Sequence, residues 1–497
     1  MDIKQLLITQ KQVYGQKPAF IFANQPVTFG QLAERAFQAA DCLATAGIRQ
    51  GEKCAVFLPN IPEAVYSILG ILSSGFSLVP LDFMLTEEEV VHFINHSEAK
   101  ALIMQAKKEV NAAKIKARCS GLKKIILING EAAGFTSWSA AQSAGSQPPR
   151  GQASENDLAA IFYTSGSTGQ PKGVCLEYRH LDSPVRCIKH FLNVSERDSY
   201  LCGGVPFSHL GGLDYLLFMV FFGSTLVLMD RFHPLEFLRQ ARQNKVSIFC
   251  IVPAMFTAIL FLKAQENFNL PDLRYAVVFG APSSPQLLQR FQHICPQAIL
   301  LNGWGMTETS APNAYSPKDA AKVGSIGKFD FELQARIVDD AGVPAQQGEL
   351  WVKGAGVMRG YYRDEVLTKE TVTGDGWLKT GDVVRRDGDG LYYIVGRKKD
   401  MIKVAGEIVF SPEVEEKIQL YPKVREVAVI GVADNLRGEV PKAFIVAKEN
   451  EQIDSRELKE FLRGHMANFK IPHYFEMVSD LPKNKTGKID KTKLISQ

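Results

Sequence analysis

The chain has 497 residues, 46% of them hydrophobic and 22% charged, with a formal net charge of +4. That length exceeds what one core supports, and the composition is that of an ordinary globular protein, so roughly two to four domains are expected. So small a net charge gives no electrostatic basis for binding nucleic acid or an anionic bilayer.

The opening residues, "MDIKQLLITQKQVYGQ", lack the apolar core of a signal peptide. The eight cysteines are Cys42, Cys54, Cys119, Cys175, Cys187, Cys202, Cys250 and Cys295; they form no CxxC pair. Reduced thiols in a cytoplasmic setting are expected, without disulfides or a zinc site. The nine histidines give no HExxH or other tight metal spacing.

Segments of helical period alternate with short β-rich runs through the first 300 residues or so. "YSILGILSSGFSLVPLD" reads as helix, turn and strand, "KALIMQA" and "KKIILING" as strands. The polar stretch Ser143 to Asp157 reads as a surface connection into the strand "LAAIFYT". The most apolar run, Tyr215 to Met229, is too short to span a bilayer and is broken by Gly223, Ser224 and Thr225. A buried helix followed by a buried strand is expected there, and no transmembrane segment. "VSIFCIVPAMFTAILFLKA" reads as a strand passing into a helix, and "LRYAVVFGAP" as a strand ending in a glycine turn. This alternation predicts an α/β architecture with parallel sheets. From about Gly324 the runs "FELQARIVDD", "QGELWVKG" and "GLYYIVGR" predict a small β-rich subdomain. A boundary is expected near Gly396 to Lys403, giving an N-terminal domain over 1–396 and a small α+β domain over 404–497.

Five stretches, and a histidine segment between the first two of them, carry chemistry. "YTSGSTGQPKGV", Tyr163 to Val174, follows a strand with small residues whose backbone N–H groups can converge on an anion. The hydroxyls of Thr164, Ser165, Ser167 and Thr168 add donors, and Lys172 adds a point charge. In "NGWGMTET" the glycines beside Trp304 let a flat ring lie against a ligand, where an indole face suits an adenine. Glu308 can hold Mg²⁺ and Thr307 a phosphate oxygen; a tight turn around a core tryptophan fits the same residues. His209 in "VPFSHLGGLD" and Asp382 in "LKTGDVVRRD" each read equally well as structural when taken alone. So do the basic run Arg397, Lys398, Lys399 and Lys403, and Lys488 in "LPKNKTGKIDK".

Together, and in this order, these stretches resemble the adenylate-forming superfamily: acyl-CoA synthetases, peptide-synthetase adenylation domains and luciferases. The resemblance spans essentially the full chain. It implies a large α/β domain followed by a mobile C-terminal domain, and a two-step reaction. A carboxylate oxygen attacks the α-phosphorus of ATP, pyrophosphate leaves, and a thiol then displaces AMP from the acyl-AMP. No covalent enzyme intermediate is implied; catalysis rests on positioning and charge neutralisation. Thr164, Ser165, Gly166, Ser167, Thr168, Gly169 and Lys172 are implied to hold the pyrophosphate. Gly280, Ala281 and Pro282 would border the adenine, with Asn302 and Trp304 on the base. Thr307 would meet the α-phosphate and Glu308 Mg²⁺. Asp382 would take the ribose hydroxyls, helped by Arg397, and Lys488 would bridge the acid and the α-phosphate. A hinge over 397–403, pivoting at Lys399, would bring Lys403, Ala405 and Gly406 to the thiol side, where Arg231 would meet CoA phosphates.

Amino-acid-activating members usually carry an aspartate after a phenylalanine near His209; this chain has the histidine instead. Gly211 and Gly212 leave room beside it, and Gly303 and Gly305 leave room beside Trp304. The surroundings are apolar, so an apolar acid is expected, a fatty acid first. The chain lacks the insertion of fatty acyl-AMP ligases, which implies that the thioester step is retained, with CoA the expected acceptor. The phosphopantetheine of a carrier protein is the alternative thiol. A non-catalytic ATP- and acid-binding protein is disfavoured because Lys172, Glu308, Asp382, Arg397 and Lys488 are all present. Peripheral membrane contact and oligomeric state are left open by the sequence.

Overall fold

Alternation of apolar strands with amphipathic helices builds two large sheets, because each sheet needs helices on its faces to leave water. The computed structural model describes residues 1–497 apart from 106–109, 131–133, 143–144, 165–170, 261, 263–269, 281–284, 319–321, 323, 406, 435, 484–488 and 496–497. By its internal contacts the chain divides into two compact units, 1–334 with 352–378, and 335–351 with 379–497.

The first unit holds two eight-stranded sheets. One runs in the order Thr136–Ser137, Lys124–Ile128, Ala101–Gln105, Lys53–Phe57, Ser77–Pro80, Leu158–Thr164, Lys172–Glu177, Gly360–Tyr361. It is parallel as far as Leu158–Thr164, after which an antiparallel hairpin and a short antiparallel edge complete it. The other carries Pro18–Phe22, Thr225–Met229, Ser199–Gly203, Ile248–Ile251, Tyr275–Val278 and Ile299–Trp304 in parallel, with one antiparallel strand beyond each end of that set. The fold class expected from the sequence is therefore the one observed. "YLLFMVFFGSTLVLM" lies in the buried helix Leu210–Phe222 and the strand Thr225–Met229, separated by Gly223 at φ 67°. Among the described residues no helix is long and apolar enough to cross a membrane, and all eight cysteines are buried and free.

One residue of that helix is at odds with its surroundings. Asp214 is 3% exposed, and its Oδ1 finds no hydrogen-bond partner among the described residues. Burial holds its carboxyl well above the usual carboxylate range. A carboxyl whose folded pKa is raised keeps its proton where the unfolded chain has lost it. Its contribution to stability is complete below the unfolded value of about 3.9 and declines as pH rises above it. Asp214→Asn removes that decline. We expect it to raise the melting temperature at pH 7 by about 2 °C or more, with the gain shrinking toward pH 4. Thermal unfolding at the two pH values checks this; an equal change at both would contradict it.

In the second unit, residues 392–397, 379–386, 347–351 and 335–338 lie side by side as strands in that order. Val424–Asp434 and Gly438–Ala447 form a long antiparallel hairpin, joined by Met401–Val404, Glu407–Phe410 and Tyr474–Met477. The helices Ser411–Gln419 and Ser455–Arg463 supply Val414, Ile418, Leu458 and Leu462 to a core with Val429, Val440 and Ile445. The segment 397–403 falls inside this unit. The strand Tyr392–Arg397 packs closely on Glu407–Phe410, since a Cβ on Gly396 would lie 2.4 Å from the ring of Phe410.

Candidate active site

The hairpin Leu158–Thr164 and Lys172–Glu177 carries the loop expected to hold phosphate. Thr164 pairs with Lys172 in the ladder, so these two residues form the neck of the loop. Ser165, Gly166, Ser167, Thr168 and Gly169 lie outside the described residues. Gly360–Tyr361 pairs antiparallel with the returning strand, Tyr361 opposite Val174. The Nζ of Lys172 sits over the Tyr361 ring, 5.3 Å from its centroid. The Tyr361 hydroxyl donates to Glu308 Oε1 at 3.1 Å. Burial and the Glu308 charge both push the phenol pKa up, so the hydroxyl keeps its proton as donor. Lys172 and Glu308, distant in sequence, thus meet around one aromatic ring.

Glu308 lies in the 3₁₀ turn Thr307–Thr309 after the strand Ile299–Trp304 and is 8% exposed. Its carbonyl accepts from Met358 N at 2.9 Å. The turn is capped by Thr309, whose Oγ1 accepts from Met306 N at 3.1 Å, and Thr307 is half-buried. Asn302 is buried, donating through Nδ2 to the Ser325 carbonyl at 3.3 Å. Trp304 is 6% exposed and edge-on to Phe329, with centroids 5.0 Å apart. This ring is largely packed into protein. Gly280, at φ 84°, follows the strand Tyr275–Val278 on the same sheet, while Ala281 and Pro282 lie outside the described residues.

His209 precedes the helix Leu210–Phe222, with Nε2 3.9 Å from Asp82 Oδ2. Asp82 lies just beyond the strand Ser77–Pro80 and also accepts from Met84 N at 2.8 Å. Of the four pocket glycines only Gly303 would take a Cβ at ordinary contact distances, while the other three would meet packed atoms at under 3.0 Å. A Cβ at Gly211 would lie 2.8 Å from the Phe279 ring, and one at Gly303 would meet Val277, Tyr315 and Phe279 at ordinary contact distances of 3.4–3.7 Å. Gly212 and Gly305 are packing glycines rather than makers of space. A Cβ at Gly212 would fall 2.2 Å from the Pro206 carbonyl oxygen, and one at Gly305 would fall 2.4 Å from Ala311 Cβ. Phe279, whose ring faces Gly211, is half-buried just past the carboxyl end of its strand. Arg231 is exposed after the strand Thr225–Met229, where its backbone crosses Gly204 so closely that a Cβ there would meet it at 2.6 Å.

The second unit holds the acid–base pair expected at a ribose. Asp382 and Arg397 are ladder partners, with Nε to Oδ1 at 2.8 Å. Asp382 is 5% exposed, and Thr380 fixes its backbone by accepting from its N–H at 3.1 Å. Lys398 bonds Glu349 at 3.2 Å. Lys399 and Lys403 are exposed. Ala405 sits at φ 48° in the turn between Met401–Val404 and Glu407–Phe410, a left-handed conformation that glycine adopts without penalty. Gly406 and Lys488 lie outside the described residues.

The AMP-binding enzyme family profile matches residues 7–362, and that of the AMP-binding enzyme C-terminal domain matches residues 413–488. The chain belongs to the AMP-binding enzyme family. It is 32% identical to a 2-succinylbenzoate–CoA ligase of Bacillus velezensis, covering 98% of this chain and 96% of that protein. It is 28% identical to a long-chain-fatty-acid–CoA ligase of Bacillus subtilis, over 100% and 94%. The crystal structure of an anthranilate CoA ligase in complex with anthranoyl-AMP superposes with a TM-score of 0.89 at 27% identity, covering 100% of this chain and 97% of that one.

As an AMP-binding enzyme the chain is an adenylate-forming enzyme of the acyl-CoA synthetase class. Three residues outside the sequence motifs stand beside those the motifs contain: Tyr361, Asp82 and Phe279. Each follows or ends a strand, in "RGYYRD", "VPLDF" and "VVFGAP". Strand pairing brings Tyr361 to the lysine strand, and side-chain packing brings Asp82 to His209 and Phe279 to Gly211.

Proposed function

We propose that this enzyme activates an apolar monocarboxylic acid, a fatty acid, as acyl-AMP and passes the acyl group to CoA. The observation that carries the acid class is Phe279. Its ring lies against Gly211, next to His209, and forms an apolar wall without a charged group of its own. The CoA ligases named among the relatives support CoA over a carrier protein as acceptor. Buried, free cysteines support a cytoplasmic setting.

Mg²⁺ fits this site as one carboxylate plus substrate phosphates, the usual way that ion is held. Glu308 offers that carboxylate, and among the described residues no cluster of three or more His, Cys, Asp or Glu forms an all-protein cage. The bound ion would screen the phosphate charge. Lys172 and the loop it closes take the pyrophosphate, and Thr307 takes the α-phosphate. Asn302, Trp304 and Gly280 border the base, and Asp382 with Arg397 takes the ribose. Lys488 neutralises the carboxylate and α-phosphate as they approach. His209, with Nε2 3.9 Å from Asp82 Oδ2, lies beside the acid. Lys399 is the pivot that exchanges Lys488 for Lys403 and Ala405 before the thiol attacks, with Arg231 on the CoA phosphates.

Pyrophosphate release from ATP and Mg²⁺ across acids from acetate to palmitate, plus benzoate, cinnamate and amino acids, with and without CoA, tests this reading. Sustained turnover with a fatty acid only when CoA is present is the expected result. A burst of one equivalent regardless of CoA would move the acceptor to a carrier protein. Turnover confined to aryl acids or amino acids would overturn the acid.

A further inference from the structure

We infer that Tyr361 is a positioning residue that holds the phosphate lysine and the Mg²⁺ carboxylate as one preorganised unit; the inference rests on the roles proposed above for Lys172 and Glu308. Those two residues belong to different sheets. Lys172 opens a strand of the sheet that ends at Gly360–Tyr361, and Glu308 comes after the strand Ile299–Trp304 of the other. The segment from Met358 to Tyr362 is tied to both. Toward the lysine strand, Tyr361 is the ladder partner of Val174, and Arg359 N and Tyr362 N donate to Cys175 O at 3.1 Å and Gly173 O at 2.7 Å. Toward the acidic turn, Met358 N donates to Glu308 O at 2.9 Å and the Tyr361 hydroxyl to Glu308 Oε1 at 3.1 Å. Thr368 Oγ1 accepts from Tyr361 N at 2.9 Å, which fixes the backbone behind the ring, while the bond to Glu308 fixes the hydroxyl.

The ring's electrostatics suit this placement. An aromatic face is negative and attracts a cation, while the hydroxyl at the rim donates to an anion. Lys172 lies over the face at 5.3 Å and Glu308 at the rim. The ring therefore anchors two opposite charges at separate points, the carboxylate through its Oε1. Tyr361 is 8% exposed, so the anchoring takes place away from competing water. Sites held this way before substrate arrives need no reorganisation on binding.

The test is calorimetric titration of the full chain with ATP, without acid, in the presence and absence of Mg²⁺. Tyr361→Phe keeps the ring and removes the hydroxyl; Tyr361→Leu removes both. Tyr361→Phe is expected to weaken ATP binding about 3–10-fold in Mg²⁺ and to leave metal-free binding unchanged. Tyr361→Leu is expected to weaken both, because Lys172 loses its platform. Placed on Glu308→Gln, Tyr361→Phe should add nothing. The inference is overturned if Tyr361→Phe binds MgATP as the wild type does, loses affinity equally with and without metal, or adds to Glu308→Gln. If Glu308→Gln itself leaves the magnesium dependence intact, the assigned role of Glu308 fails and takes the inference with it. A magnesium-dependent loss in Glu308→Gln that Tyr361→Phe does not share sinks the inference alone.

Discussion

Lys488→Ala is expected to slow acyl-AMP formation about 10²–10³-fold while leaving thioester formation from supplied acyl-AMP and CoA within about tenfold of wild type. The physical reason lies in the charges of the two steps. Adenylation brings a carboxylate onto an α-phosphate, two anions whose approach is opposed until a cation neutralises the developing charge. A lysine ammonium is a compact charge suited to bridge them. In the thiol step no bond to phosphorus forms; AMP leaves from the carbonyl. A lysine needed only for the first step is compatible with its departure, which is what a pivot at Lys399 would accomplish. Pyrophosphate exchange reads the first half-reaction and a chemically prepared acyl-AMP the second. An equal loss in both would mean that one arrangement serves both steps, and the exchange of Lys488 for Lys403 would fall.

The parallel sheets were legible because their strands are short β-rich runs set between helical segments. "KALIMQA" became Ala101–Gln105 and "KKIILING" became Lys124–Ile128, both buried through most of their length. Periodicity carries that information locally. The pair Asp382 and Arg397 was legible only through its motifs; the ladder that joins them comes from a hairpin whose register no local signal sets. Tyr361 was missed for the same reason. Its partners, Val174 in the ladder and Glu308 at the hydroxyl, are long-range, and "GYY" looks like any edge of a strand. Gly212 was misread in the other direction. A glycine leaves space either for a ligand or for the chain itself, and only the Pro206 carbonyl at 2.2 Å from its would-be Cβ tells the two apart. Phe279, which supplies the wall that Gly211 faces, sits between a strand and a glycine turn where sequence alone offers no direction for its ring.

Asp382→Asn is expected to weaken ATP binding about tenfold or more and to erase the enzyme's discrimination between ATP and 2′-deoxy-ATP. Asp382 is 5% exposed, and its Oδ1 already meets Arg397 Nε at 2.8 Å. A carboxylate's two oxygens offer about four acceptor sites, more than one guanidinium N–H uses, and a pair of ribose hydroxyls is a matching pair of donors. Asparagine keeps the shape but replaces one acceptor oxygen with an NH₂ donor. That group either faces the guanidinium, donor against donor, or faces the sugar and loses a ribose bond. The wild type should therefore bind 2′-deoxy-ATP more weakly than ATP, whereas the variant should bind the two alike, having already lost the acceptor. Arg397 is 49% exposed, so solvent moderates the cost to stability of disrupting the pair. The melting temperature should fall less than a buried pair would predict. If the variant still prefers ATP to the deoxynucleotide by the wild-type ratio, Asp382 does not hold the ribose; its burial and its bond to Arg397 then serve the sheet alone.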